Sequence, residues 1–109
     1  MTLNEIAKDS YKSAKKRQEN GAKISAEPIA MLKHCATEVV EATEAYKELC
    51  LRDSEDSLPR LKNNFASELA DVICCCAIIA YYTEIDLDTA ISKCLEKNRK
   101  RAEKIGDKL

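Results

Sequence analysis

The chain is 109 residues long, 45% hydrophobic and 34% charged, with 18 Lys and Arg against 19 Asp and Glu for a formal net charge of −1. That length holds one domain with one modest core, and the mix of apolar and charged residues marks a folded chain rather than a disordered one. Near-neutral charge gives no global signal for nucleic acid or an acidic membrane, and the scarcity of Gly and Pro among many Ala, Glu, Lys and Leu points to an all-α fold.

The first helix is predicted from Leu3 to about Glu19, opened by the capping-box pair Thr2 and Glu5 and stopped at Asn20-Gly21. Its apolar line is Leu3, Ile6 or Ala7, Tyr11 and Ala14, and Lys15, Lys16 and Arg17 follow as a solvated end where cations suit the helix dipole. The start, MTLNEIAKDS, lacks the basic-then-apolar layout of a secretion signal, so a cytoplasmic location is expected.

After a connector, Ser25 is the expected N-cap of a second helix with Pro28 in its first turn, running to about Leu51. Leu32, Cys35, Val39, Ala42, Tyr46 and Leu49 recur at helical spacing and form its stripe. A polar turn, Arg52 to Ser57, leads to a third helix capped by Ser57 and reaching about Thr83. Its stripe is Leu58, Leu61, Phe65, Leu69, Val72, Cys76 and Ile79. Past Val72 it is apolar all round, which requires burial on several sides and, in so small a chain, a partner subunit. The longest apolar run, Val72 to Tyr82, falls short of the ~20 residues that span a bilayer.

Asp86 or Asp88 is expected to cap a fourth helix from about Leu87 to Lys104, with Ile91, Cys94 or Leu95, Asn98, Ala102 and Ile105 on its stripe and a frayed tail from Gly106 to Leu109. The expected architecture is therefore a single domain over 1–109, an all-α, four-helix antiparallel bundle-like subunit completed by dimerisation. Six cysteines are present. Three of them, Cys74 to Cys76, are consecutive and point about 100° apart on a helix, and no Cys-x-x-Cys occurs, so they read as small apolar residues of a reduced core.

Chemistry is concentrated in two acidic pairs. Glu38 and Glu41 each precede a stripe residue of the second helix by one, and Glu68 and Asp71 do the same on the third. The short turn makes these helices antiparallel neighbours, so like flanks meet and all four carboxylates share one side of the hairpin, level to about one residue or ~1.5 Å. Gathered carboxylates repel one another, and a hard divalent cation relieves them. All-oxygen ligation favours Mg²⁺ or Mn²⁺. His34, the single histidine, lies one turn before Glu38 and is read as a boundary residue.

Glu38-x-x-Glu41 followed by Glu68-x-x-Asp71, the Ile85-Asp86 turn and the Asn98-x-x-Arg101 element together resemble the MazG-like, all-α nucleoside triphosphate pyrophosphohydrolases over roughly Met31 to Arg101. The chain departs from that pattern at Thr37, where a second acid often stands, at Cys94, where a lysine often stands, and in having no Trp. The resemblance implies Mg²⁺-dependent hydrolysis of a nucleoside triphosphate to the monophosphate and pyrophosphate, in nucleotide-pool house-cleaning, by a homodimer or dimer of dimers with no nucleic acid polymer and no membrane as partner. It implies metal held by Glu38, Glu41, Glu68 and Asp71, with Glu38 or Glu41 orienting or deprotonating a water. Lys97, Asn98 and Arg101 would contact the phosphate tail. The competing classes are a non-catalytic helical self-association module and a di-iron carboxylate bundle. The latter is disfavoured because Met31, not Glu, stands three residues before His34.

Overall fold

The computed structural model describes residues 1–23 and 25–104, so residue 24 of the connector, Ile105 on the predicted fourth stripe and the predicted frayed tail from Gly106 to Leu109 lie outside the described residues. Among the described residues there are four α-helices and no strand: α1 (Leu3–Glu19), α2 (Pro28–Cys50), α3 (Leu58–Tyr82) and α4 (Leu87–Glu103), with a single 3₁₀ turn, Glu55–Ser57, between α2 and α3. The all-α expectation holds.

Local chemistry sets most of the boundaries. Thr2 and Glu5 form the reciprocal capping box, each side chain bonding the other's backbone N–H at 3.1 Å. Gly21 (φ 97°) takes the left-handed conformation that ends α1, with the Ala22 N–H on the Arg17 carbonyl and the Gly21 N–H on that of Gln18. Two predicted caps differ. Ser25 accepts from the Glu27 N–H just ahead of α2, and Glu27 is the cap residue, without a side-chain bond. Ser57 is already helical in backbone and caps nothing with its hydroxyl; Ser54 instead caps the 3₁₀ turn that leads into α3. Ser25 and Ser54 each sit at a tight turn ahead of the helix, where the side chain accepts from nearby backbone N–H.

The two acids proposed for the fourth cap divide the work between two helices. Asp86 caps α4 through the Thr89 N–H (3.1 Å) and Thr89 hydroxyl (2.8 Å), and Asn4 donates to it at 2.9 Å. Asp88 instead accepts from the Leu3 and Asn4 N–H groups, two free donors of the first turn of α1. Asn4 returns the favour by accepting from the Leu87 N–H at 2.8 Å. The starts of α1 and α4 thus cap each other. These hydrogen bonds, led by that from Asn4, hold the Asp86 carboxyl below the ordinary carboxylate range.

α3 is the central helix, with α2 packed along it and α1 on a further side; α4 packs on α1. The core joins Ala14 of α1, Met31 of α2 and Cys75 and Ile78 of α3, closed by Ala26. Small side chains at Ala7, Ala14, Ala77 and Ala80 allow the close approach. By length and composition the segment Glu55–Tyr82 also meets the requirement for crossing a bilayer, a property the core helix of a folded domain shares. No residue of α4 is buried.

The buried line of α2 is rotated from the predicted one. Met31, Glu38, Ala42 and Ala45 are buried, whereas Leu32, Val39 and Tyr46 of the predicted stripe are about half exposed. On α3, Leu61 is buried as expected, but Leu69 and Cys76 are exposed and Ile73 is 57% exposed. The bulkiest apolar residues therefore line one open flank of the α2–α3 hairpin, and the smaller ones make the intrachain contact. The cysteines divide likewise. Cys75 is buried in the core as expected, while Cys50, Cys76 and Cys94 are exposed, and all six are free thiols.

Candidate metal centre

Opposite the apolar flank, the acidic flanks of α2 and α3 meet. Glu38, Glu41 and Glu68 each offer a carboxylate oxygen, and these oxygens lie within 4.8 Å of one another. Glu38 is buried (8% exposed), Glu68 is half-buried and Glu41 is exposed, so the cluster runs from the core outward. Glu38 belongs to the buried line of α2 because that line turns toward the acidic side of the hairpin. A carboxylate there is costly unless paired.

Its pairing is incomplete. His34 Nε2 lies 2.9 Å from Glu38 Oε1, which fixes one oxygen. Glu38 Oε2 and Glu68 Oε2 are both buried without a hydrogen-bond partner. Burial, then the charge of Glu41, pushes the Glu38 carboxyl above its ordinary value, with His34 opposing and Asp71 adding to the shift. Burial also raises Glu68, followed by the charges of Glu41 and Asp71. Two orphaned oxygens among mutually repelling carboxylates form a hard, all-oxygen donor set, and that set fits a divalent cation.

The sign of the pH dependence follows. Glu38 and Glu68 hold protons more tightly folded than unfolded, so the stability linked to them is fully present below the ordinary carboxylate value of 4.5 and is lost as pH rises through the raised values. Metal-free wild type is therefore expected to lose melting temperature relative to Glu38→Gln as pH rises through that window. Saturating Mg²⁺ or Mn²⁺ should restore wild type most at the upper end. A difference between the two proteins that is flat in pH would contradict the assigned repulsion.

Asp71 stands just outside the three-oxygen cluster. It is exposed and lines a cleft of about 160 Å³ with Glu38, His34, Cys74 and Arg17. Arg17 was predicted to be part of a solvated helix end; it is exposed, but it also reaches the wall of this cleft. The signal for it was present in the sequence. Ala14 is on the buried line of α1, and the residue three positions on lies over the same face.

The α4 residues are placed differently. Lys97 and Arg101 line a depression walled by side chains of α4, including Lys93, Glu96 and Lys100, and by its C-cap Lys104. Asn98 is exposed, with its amide 3.9 Å from the Cys94 sulfur. Within one chain the carboxylates of α2 and α3 converge, and Lys97, Asn98 and Arg101 do not share their cleft.

Residues 26–106, about three-quarters of the chain, match the family model described as the MazG nucleotide pyrophosphohydrolase domain. No curated protein and no solved structure gives a significant match.

Proposed function

The chain belongs to the MazG nucleotide pyrophosphohydrolase family, and from that premise we propose that it hydrolyses nucleoside triphosphates between the α and β phosphates, releasing the monophosphate and pyrophosphate. The observation that carries the reading is the convergence of Glu38, Glu41 and Glu68, with two buried oxygens left without partners. In this reading Glu38, Glu41, Glu68 and Asp71 hold Mg²⁺, or Mn²⁺ in its place. Bound there, the ion supplies positive charge against phosphate oxygens and acidifies water.

The chain's own groups do the rest. Glu41 is exposed at the outer edge of the cluster, where a carboxylate meets solvent and orients or deprotonates the attacking water. Glu38, held by His34, is the fixed inner ligand. Lys97, Asn98 and Arg101 bind the phosphate tail from a second copy of the chain, since α4 presents them away from its own carboxylates. That second copy covers the apolar flank of the α2–α3 hairpin, which makes the working unit a homodimer or a dimer of dimers. A cytoplasmic role in clearing the nucleotide pool fits this activity.

The test is direct. A panel of canonical and modified ribo- and deoxyribonucleoside triphosphates is incubated with Mg²⁺, and monophosphate and pyrophosphate are resolved by ion exchange. Equal yields of the two products, abolished by chelation, are the expected result. An absence of turnover across the panel, together with no metal binding, would leave a self-association module as the reading.

A further inference from the structure

We propose that Arg17 is a phosphate-binding residue that holds the terminal phosphates of the substrate, the part that departs as pyrophosphate. This rests on the pyrophosphohydrolase reading but adds a contribution from α1, which ends before the family-matched residues 26–106 begin.

Three observations converge on it. The cleft of about 160 Å³ is walled by all three core helices: Arg17 from α1, His34 and Glu38 from α2, and Asp71 and Cys74 from α3. A space of that size suits a phosphate group rather than a nucleoside. Glu38 and Asp71 line it from α2 and α3 and Arg17 lines it from α1, so a phosphate held there by the carboxylate-bound cation is offered a planar, two-pronged donor from the third helix.

Next, Arg17 makes no ion pair among the described residues, although Glu38 and Asp71 line the same cleft. An arginine recruited only to neutralise the acids would be paired with them. Here Glu38 takes His34 instead, at 2.9 Å.

Finally, the fold places Arg17 firmly at this point. Ala14, one turn before it, is packed in the core with Met31, Cys75 and Ile78. The Arg17 carbonyl itself accepts the Ala22 N–H at 2.9 Å, as part of the turn that ends α1. The backbone at Arg17 is thereby fixed at the end of α1, so gripping a ligand costs only the ordering of the side chain.

The experiment is a calorimetric titration of pyrophosphate, with Mg²⁺ saturating, into full-length wild type, Arg17→Gln and Arg17→Lys, beside a titration of Mg²⁺ alone. A lost charge-assisted contact weakens pyrophosphate binding about 10- to 100-fold in Arg17→Gln. Arg17→Lys should fall between, because a point charge replaces the fork. Binding of Mg²⁺ alone should not weaken, since Arg17 is not one of the carboxylates that would hold the cation. The proposal is overturned if pyrophosphate affinity changes less than about twofold, if Mg²⁺ affinity falls by the same factor, or if wild type binds no pyrophosphate. Turnover is read separately. Arginine-dependent pyrophosphate binding in a protein that hydrolyses no triphosphate would refute the enzymatic reading while leaving this subsite standing.

Discussion

Glu41→Gln is expected to lower kcat/KM for triphosphate hydrolysis by on the order of 10³-fold or more while making the metal-free protein more stable. The two effects have one cause. Glu41 is the charge that both Glu38 and Glu68 feel most, after burial, in the rise of their carboxyl groups. Removing it relieves repulsion in a cluster whose oxygens lie within 4.8 Å, so the folded state gains when no cation is bound. With a cation bound the same change subtracts a ligand, and with it the group assigned to the attacking water. Helical content should be unchanged, because Glu41 is exposed on α2 and Gln is nearly as good a helix former. The checks are steady-state kinetics, far-UV circular dichroism and melting curves with and without Mg²⁺. Undiminished turnover would show that the constellation is misassigned. A metal-free melting temperature below that of wild type would show that the carboxylates are not in conflict.

Much of this site was legible because it depends only on helical period and one short connection. Glu38, Glu41, Glu68 and Asp71 are placed by spacings of three within helices and by a hairpin that permits one antiparallel arrangement. Those constraints survive errors of a residue or two at helix ends, such as the misplaced cap at Ser25. The rotation of the α2 core line did not follow from the sequence: Ala42 is on both the predicted and the buried line, but hydrophobicity alone ranks Leu32, Val39 and Tyr46 above Ala45 and gives no reason to bury Glu38. Which set faces inward depends on what the single chain has available to cover each flank. Arg17 was hidden for a related reason. Period places it over the face of Ala14, but only the angle between α1 and the α2–α3 pair decides whether that face ends at solvent or at the carboxylates. The split of Asp86 and Asp88 between two helix starts is a tertiary contact across more than eighty residues of sequence, which no local rule contains.

Ile73→Lys is expected to convert the protein from dimer to monomer and, through that change, to remove activity without removing metal binding. Ile73 is 57% exposed on α3, and Leu69 beside it and Leu32, Val39 and Tyr46 across on α2 are 45–53% exposed. Tyr46 and Phe65 extend the same surface, with ring centroids 5.3 Å apart. A two-helix hairpin with acids on one flank and bulky apolar groups on the other is half of a four-helix bundle, and in the proposed dimer a second copy related by a two-fold axis supplies the missing half. Covering the exposed half of each large side chain contributes about 1 kcal/mol, and each is counted twice in a symmetric interface. Lysine at Ile73 places two unpaired ammonium groups in that interface, and a loss of about 4 kcal/mol weakens association roughly 10³-fold. The consequence for activity follows from where α4 points. Its Lys97, Asn98 and Arg101 lie apart from the carboxylates of their own chain, so a monomer keeps Glu38, Glu41, Glu68 and Asp71 but lacks the tail contacts. Light scattering gives the mass, calorimetry the Mg²⁺ affinity and steady-state kinetics the turnover. A monomeric variant with full kcat/KM would place every working residue in one chain and exclude completion of the site by a partner. A variant that stays dimeric would move the interface off this flank.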